Sequence, residues 1–311
     1  MLVAHKNDSR TLVARVLRQR YLLLVAIPGV LWFLLFSYYP MWGSIIAFKN
    51  FDFGLGILQS PWSGLDHFVE FVRDPDFATI MTNTVAISAL KLVFGFPAPI
   101  VLALLLNELR SAGFKSVTQT VSYLPHFVSW VIVTGVCLQL LSPTNGPIIP
   151  LLAKLGVVDP NLLIMGDPNL FWGLAVVTEI WKEIGWNAII YLAAITAIDP
   201  VLYEAAKVDG AGKLRQVFAV TLPSIAPTVF IMLTITIAYL LTTNFDQLWL
   251  MRNSAVVPAS EVIDTHVFVQ GIQLGRYDYA TAVGLFRSVV SLGLLVAANQ
   301  FSRRITGTSL Y

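Results

Sequence analysis

Charged side chains are scarce in this 311-residue sequence, because only 12% of its residues are Asp, Glu, Lys or Arg while 56% are hydrophobic. A soluble domain carries about a quarter of its residues as charged side chains. The mean hydropathy is +0.73, and only lipid can cover so much apolar surface, which argues against a soluble enzyme. The net charge of +2 gives no reason to expect a polyanionic partner, so we expect no nucleic acid.

Patterns that would mark a chemical site are also lacking. Cys137 is the single cysteine, which excludes an internal disulfide framework and a thiolate metal site. The four histidines are scattered, and none forms a His/Glu pair with metal-site spacing. A phosphate-binding loop around Gly212 would need glycine and Ser/Thr where Lys207 and Leu214 stand. We therefore expect no catalytic residue, metal or cofactor in this chain.

Long apolar segments are what the sequence has instead. The first runs without a charge from residue 21 to residue 48, after a basic stretch ending at Arg20. It is longer than the apolar core of a signal peptide, so we predict a membrane span rather than a leader. The six predicted spans cover about residues 21–45, 77–107, 118–142, 170–198, 223–245 and 280–302. No repeat or linker interrupts them, and the sequence predicts one all-α membrane domain over residues 21–302, with tails at 1–20 and 303–311.

Lysine and arginine are unevenly divided between the segments that connect these spans. The two tails together with residues 108–115 and 199–215 hold twelve of them. Residues 49–76, 154–167 and 246–278 hold five, together with eleven of the eighteen carboxylates. Because positively charged connections stay in the cytoplasm, we expect both termini and the 199–215 segment to be cytoplasmic. The two long opposite loops are expected to fold against the outer face.

Residues 199–223 differ from an ordinary connector. Pro200 pushes the residue before it out of the helical region and so ends the fourth span, and the apolar spacing after it predicts a short helix. Gly210 and Gly212 break that helix, since glycine readily adopts a left-handed turn. A second short apolar stripe follows, and Pro223 predicts the start of the fifth span. Two small helices around a glycine turn would form a compact projection.

The same segment resembles the coupling loop of importer-type ABC transporter permeases. The signature of that family is Glu-Ala-Ala, three residues, Gly, nine residues, Ile, any residue and Leu-Pro. This sequence matches it at full spacing, with valine in place of Ile, through Glu204-Ala205-Ala206, Gly210, Val220 and Leu222-Pro223. The resemblance implies a type I ABC importer permease fold, with six transmembrane helices and a cytoplasmic coupling loop at residues 199–222.

The resemblance also implies how this coupling loop works. It would dock into a cleft of a separate ATPase subunit, whose closure on ATP would rock the spans between inward-open and outward-open states. Ala205 and Ala206 would permit close approach to the partner, and Gly210 would fix the turn. Glu204 and Asp209 would offer charges to helix ends or to the ATPase.

Other stretches resemble a branch of sugar-importing permeases that take up fragments of polysaccharides such as pectin or alginate. The resemblance runs nearly from end to end of the chain. Within this branch, the sequence is similar to the first permease subunit of alginate-oligosaccharide importers. The stretches are Tyr39-Pro40-Met41-Trp42-Gly43, Ala47-Phe48-Lys49, Phe94-Gly95-Phe96-Pro97, Tyr123-Leu124-Pro125-His126-Phe127, Ile180-Trp181-Lys182-Glu183-Ile184-Gly185-Trp186, Val262-Ile263-Asp264-Thr265 and Tyr279-Ala280-Thr281-Ala282-Val283-Gly284-Leu285-Phe286.

The family resemblance implies a heteromeric complex in the cytoplasmic (inner) membrane of a bacterium. This chain would form half of the pore and contact lipid. A second permease, in this branch usually a paralogue, would form the other half. Two ATPase subunits would bind ATP and Mg²⁺, and an extracytoplasmic binding protein would deliver substrate to the outer loops. Hydrolysis is expected only in the ATPase subunits, so this chain would not be an enzyme.

Charged residues inside the predicted spans need an explanation, because an unpaired charge at mid-bilayer costs about 3 kcal/mol or more. They are Lys91, Glu179, Lys182, Glu183 and Arg287. Glu179, Lys182 and Glu183 share one helical face by their spacing, and Arg287 is expected to supply a further cation to them. Two interpretations stay open: an ion-pair cluster that fixes helix packing, or a polar wall of the translocation pathway.

Polar and aromatic residues at a similar depth in the predicted spans could join the charged residues in a polar wall of the translocation pathway. Aromatic faces beside amides and hydroxyls suit sugar rings, and cations suit the carboxylates of uronic acids. His126 is expected to be a packed, hydrogen-bonded side chain rather than a ligand contact. The predicted substrate-pathway residues are Glu179, Lys182, Glu183, Trp186, Asn187, Tyr239, Thr243, Asn244, Gln247 and Arg287.

Three other functions are compatible with parts of this pattern. The same fold could carry a non-sugar solute such as an amino acid or phosphate, although the branch-like stretches argue against it. A membrane enzyme would need converging nucleophile or metal residues at a membrane face. An ATP-independent channel would leave the coupling loop without a role. Loss of transport on deletion of a partner ATPase would distinguish the importer from the membrane enzyme and from the channel.

Overall fold

The structure, a computed structural model, describes residues 20–306, and the regular secondary structure in this range is helical. The predicted tail at 1–20, apart from Arg20, and the predicted tail beyond Thr306 lie outside this range. Within it no strand forms, and the sole extended pairing is an isolated bridge between Lys49 and Trp62. Four helices are long and apolar enough to cross a membrane, or six if each of two bent pairs is one span.

These helices follow the order of the predicted spans. The first, second, fifth and sixth spans are Leu24–Phe48, Phe77–Glu108, Lys213–Ala238 and Tyr277–Arg304, the last within the helix Tyr277–Thr306. The third span is the bent pair Ala112–Phe127 and Trp130–Leu140, and the fourth is Pro168–Thr196, which is followed at a 70° bend by Pro200–Val208. Shorter helices in the connecting segments are Gly56–Gln59, Asp66–Arg73, Ile148–Lys154, Phe245–Met251, Val257–Ser260 and Ile263–Phe268.

The third span is not the continuous helix over 118–142 that the apolar run predicts. Its two halves meet at an angle of 101°. A 3₁₀ turn containing Pro125 ends the first half, and Val128 is extended. Ser129 then accepts a hydrogen bond from the backbone N–H of Ile132 (3.4 Å) and begins the second half as its N-cap. A run of apolar residues predicts that a segment lies in lipid, but it does not predict where the helix of that segment bends.

The prediction for the fifth span is wrong at both ends. Its helix begins at Lys213, ten residues before Pro223, and runs without a break into the membrane. A π-helical turn at Val217–Thr221 precedes the proline, and such a turn absorbs the hydrogen bond that a proline cannot make. The helix ends at Ala238 rather than near residue 245, and Asn244 caps a new helix over Phe245–Met251.

The connecting segments opposite the coupling loop pack closely on the spans. Asn83, in the second span, donates hydrogen bonds to the carbonyls of Pro258 (2.8 Å) and Glu261 (2.9 Å). Phe71 is buried and meets the ring of Phe286 at 5.5 Å. These contacts tie residues 49–76 and 246–278 to the helices, as the sequence predicts.

The first span differs from the others because the described residues of its first half are exposed. Among its described residues, every one from Leu24 to Met41 is exposed. Trp42–Phe48 packs on the sixth span instead. The exposed half is apolar, so its surface must be covered by lipid or by another chain.

Candidate functional site

The first helix and the glycine turn of the coupling loop form as the sequence predicts, but the predicted second small helix is the start of the fifth span, Lys213–Ala238. Asp199 accepts a hydrogen bond from the N–H of Val201 (2.9 Å) and caps the first helix, Pro200–Val208. Gly210 has φ +76°, in the left-handed region that glycine adopts at little cost. The N–H of Ala211 returns to the carbonyl of Ala206 (2.9 Å), which closes the end of the helix.

Side-chain hydrogen bonds hold this loop to the membrane helices. The hydroxyl of Tyr203 lies 2.9 Å from that of Thr221. Buried Gln216 donates to the carbonyl of Ala211 (2.8 Å). Lys213 pairs with Glu108 (2.9 Å) at the end of the second span. The loop and the first turns of the fifth span therefore form one connected unit.

Several apolar side chains of the coupling loop are uncovered. Val208 is 87% exposed and Leu214 78% exposed, and Phe218 is exposed as well. Exposed apolar side chains grouped along one short segment are typical of a protein contact surface. Of the predicted coupling residues, Glu204, Ala205, Asp209 and Gly210 are exposed and Ala206 is half-buried. Leu222 and Pro223 lie within the fifth helix, and the coupling roles of all seven stay predictions.

A cavity of about 300 Å³ lies between the second, fourth and fifth spans. Its polar lining comes from Ser88, Lys91, Glu179, Glu183, Asn187, Thr236, Tyr239, Thr242 and Thr243. Five predicted pathway residues are among these: Glu179, Glu183, Asn187, Tyr239 and Thr243. The other five, Lys182, Trp186, Asn244, Gln247 and Arg287, lie outside the lining, and their contact with substrate stays a prediction.

Lys91 supplies the cation that the carboxylates of the fourth span require. It forms an ion pair with Glu179 and donates to the side-chain oxygen of Gln247 (3.2 Å). Gln247 is fully buried and donates to the carbonyl of Ala175 (2.6 Å) and the hydroxyl of Thr178 (2.9 Å). This amide thus fixes the charged pair against the fourth span.

Arg287 does not join that cluster, so this prediction is wrong. It pairs instead with Asp264, which the sequence places in the segment before the sixth span. Thr243 donates a hydrogen bond to the other oxygen of the same carboxylate (3.0 Å). Helical spacing shows which residues share a face but not how two helices are rotated against each other. The charge of Asp264, close before the sixth span, was a signal that could have identified this partner.

The bend of the third span is held by the fourth span. Lys182 is buried and donates to the carbonyl of His126, at the end of the first half of the bent span. Glu183 lies 2.7 Å from Nδ1 of His126 and 3.3 Å from Nζ of Lys182. Trp186 stacks flat on the His126 ring, with centroids 4.3 Å apart. The packed, hydrogen-bonded state expected for His126 is therefore what the structure shows.

Gly185 marks a close approach between the backbones of these two spans. A Cβ atom at this position would overlap the backbone carbonyl of Ser122. We expect Gly185→Ala to destabilise the protein by about 1–3 kcal/mol, because the backbones would have to separate. Thermal unfolding of the purified protein in detergent would measure this.

Gly173 provides the matched control, since it lies in the same helix with no atom within 4 Å of an added Cβ. Gly173→Ala should leave the unfolding temperature unchanged or slightly raised, because alanine favours helix. Equal destabilisation by both substitutions would contradict the close contact at Gly185.

Comparison with known proteins gives an independent description of the chain. The family model described as binding-protein-dependent transport system inner membrane component matches residues 95–307. A relative named polygalacturonan/rhamnogalacturonan transport system permease protein YteP, from Bacillus subtilis, is 42% identical over 100% of this chain and 96% of its own length. Protein LplB from the same organism is 41% identical over 96% of this chain and 93% of its length.

Solved structures show the same likeness. One is a bacterial ABC transporter involved in the import of the acidic polysaccharide alginate. A chain of it is 39% identical, with a TM-score of 0.88 over 95% of this chain and 99% of that chain. A second is the alginate transporter in complex with a periplasmic protein bound to an alginate pentasaccharide. Its chain is 38% identical, with a TM-score of 0.88 over 96% of this chain and 99% of that chain.

Proposed function

This chain belongs to the family of binding-protein-dependent transport system inner membrane components, and we propose that it forms half of the translocation pathway of an ATP-driven importer for acidic oligosaccharides. Membership makes the chain a non-catalytic transport component, as the sequence predicts. The observation that carries the substrate class is the 39% identity, over 95% of the chain, to a permease of an importer of an acidic polysaccharide. The relative named for polygalacturonan, a uronic acid polymer, supports the same class.

The cavity between the second, fourth and fifth spans suits a sugar unit. Sugar rings present C–H faces that pack on aromatic rings and hydroxyl rims that need hydrogen-bonding partners. Tyr239 offers an exposed ring, while Asn187, Thr236 and Thr242 offer amide and hydroxyl groups on the same walls. We propose that this cavity is the part of the sugar pathway contributed by this chain.

We further propose that the coupling loop transmits movement from a separate ATPase. Its apolar side chains are exposed, and its hydrogen bond to Thr221 and its ion pair with Glu108 link the loop to the second and fifth spans. ATP and Mg²⁺ would bind only in two ATPase subunits, and this chain would hold no cofactor. Both termini and the coupling loop would face the cytoplasm, in agreement with the excess of Lys and Arg on that side.

The remaining partners follow from the same family. A second permease, a paralogue, would complete the pore, and an extracytoplasmic binding protein would contact residues 49–76 and 246–278. One of the similar solved structures holds a periplasmic protein with an alginate pentasaccharide, which supports this arrangement.

Reconstitution tests the proposal directly. The chain would be purified with its co-purifying partners, placed in proteoliposomes and supplied with the binding protein and labelled oligosaccharides of galacturonate or mannuronate. ATP-dependent uptake of these sugars is expected. Uptake of only neutral sugars, amino acids or phosphate would overturn the substrate class, and uptake without ATP or an ATPase would favour a channel.

Asn187→Leu should raise the KM of acidic sugar uptake roughly tenfold, because it removes hydrogen bonds worth about 1–2 kcal/mol from the cavity wall. ATP hydrolysis without substrate should not change, since Asn187 lines the cavity and is not part of the coupling loop at residues 199–222. Asn169→Leu is the control, because Asn169 is exposed at the other end of the same helix and outside the cavity lining. An unchanged KM in Asn187→Leu would remove this residue from the pathway.

A further inference from the structure

A second cavity, of about 560 Å³, opens beside the first. It lies between the sixth span and the segment before it, and its walls include the rings of Phe245, Phe268 and Tyr277. Asp264 and Arg287 also line it. We call it the arginine groove.

Thr243 connects the arginine groove to the sugar cavity. The residue lines the sugar cavity, and its hydroxyl donates to the Asp264 carboxylate (3.0 Å), which lines the groove. This hydrogen bond therefore links a residue in the wall of the sugar cavity to a residue in the wall of the groove.

The guanidinium of Arg287 can accept a further carboxylate. Its Nη1 binds one oxygen of Asp264, while the other oxygen accepts from Thr243. A guanidinium carries five N–H donors in a planar fork that fits carboxylates. The Arg287 side chain is 27% exposed, whereas that of Asp264 is only 12% exposed. Both residues line the groove, and the cation of the pair is more exposed than the anion.

Lys91 and Lys182, the other cations inside the spans that the sequence predicts, are occupied differently. Lys91 is held by Glu179 and by the buried amide of Gln247. Lys182 is buried against the backbone carbonyl of His126 and the carboxylate of Glu183. Both side chains are less exposed than that of Arg287. Of these three cations, Arg287 is the one placed to meet a soluble anion.

We propose that Arg287 binds the carboxylate of a uronic acid unit in the arginine groove and so gives the pathway its preference for acidic sugars. The inference rests on the proposed function and deepens it. The sugar carboxylate shares the guanidinium with Asp264, while the aromatic walls contact the ring. Thr243 and Asp264 keep the guanidinium in place when the groove holds no sugar.

The test compares an acidic oligosaccharide with its carboxyl-reduced, neutral counterpart of the same length. Binding of each to the purified complex without binding protein would be measured by calorimetry. Arg287→Gln should weaken binding of the acidic sugar tenfold to a hundredfold and leave that of the neutral sugar within about twofold, because only the charged contact is lost. Arg287→Lys should retain part of the preference.

Arg252→Gln is the matched control, because Arg252 pairs with Glu261 (2.6 Å) at a similar burial but lies outside the groove lining. It should leave the preference intact. If Arg287→Gln impairs assembly, the double variant Arg287→Gln/Asp264→Asn replaces the ion pair with a neutral pair and should show the same loss of preference.

A preference that survives loss of the Arg287 charge in an assembled complex would overturn the inference. So would an equal loss for the acidic and the neutral sugar. Uptake of acidic sugars by the unaltered complex is measured in the same preparation and tests the proposed function independently of Arg287. A complex that imports acidic sugars but shows no dependence on Arg287 refutes the arginine groove alone.

Discussion

Replacing Gly210 with valine should uncouple ATP hydrolysis from transport. Gly210 has φ +76°, and an L-residue pays about 1–2 kcal/mol to adopt this region, with a β-branched side chain paying more. The turn between the two helices of the coupling loop would therefore reorganise and displace its exposed apolar patch. We expect sugar uptake to fall at least tenfold while the ATPase subunits still hydrolyse ATP. Paired uptake and phosphate-release assays on the same proteoliposomes would measure both rates.

The neighbouring glycine supplies a close control for this result. Gly212 has an ordinary φ of −67°, and an added Cβ would meet no atom within 4 Å. Gly212→Ala should therefore transport at a nearly unaltered rate. Normal uptake by Gly210→Val would show that the shape of this turn is not required for coupling.

Lys182→Met should cause the largest loss of stability among these substitutions. It removes the cation that faces Glu183 and the donor that satisfies the carbonyl of His126 at the bend of the third span. Removing the buried member of a charged pair costs up to about 3–5 kcal/mol, and here the carbonyl of His126 loses its donor while half-buried Glu183 keeps its contact with His126. Thermal unfolding in detergent should show a strongly lowered midpoint, and limited proteolysis should cut near the bend.

An exposed lysine provides the comparison. Lys213 also pairs with a glutamate, Glu108 (2.9 Å), but its side chain is 66% exposed. Lys213→Met should cost less than about 1 kcal/mol, since exposed ion pairs contribute little. Similar midpoints for the two variants would mean that Lys182 does not hold the bend.

The sequence predicts the helices and the coupling loop because their signals are local. Long apolar runs identify spans, and the distribution of Lys and Arg gives an orientation. The turn at Gly210 follows from the residues beside it alone. The same applies to the end of the fourth span, which follows from Pro200 directly after it.

The features that the sequence does not predict depend on how distant segments meet. The 101° bend of the third span is stabilised by Lys182, more than fifty residues away. The pairing of Arg287 with Asp264 depends on the rotation of the sixth span, which no single-helix pattern contains. The sequence predicts that the fifth span starts at Pro223 because proline is a good first residue of a helix, but the π turn before it places this proline inside a longer helix.

The uninterrupted fifth helix gives the molecule a mechanical lever. Its 26 residues, Lys213–Ala238, make a rod about 39 Å long at 1.5 Å per residue. One end is built into the coupling loop, and the other stops just before Tyr239 and Thr243 in the cavity wall. Pivoting this rod by about 10° at one end would move the opposite end by about 7 Å, given that length. The chain leaves helical geometry directly after Ala238. The displacement of this helix end would therefore move the wall of the sugar cavity rather than the next helix.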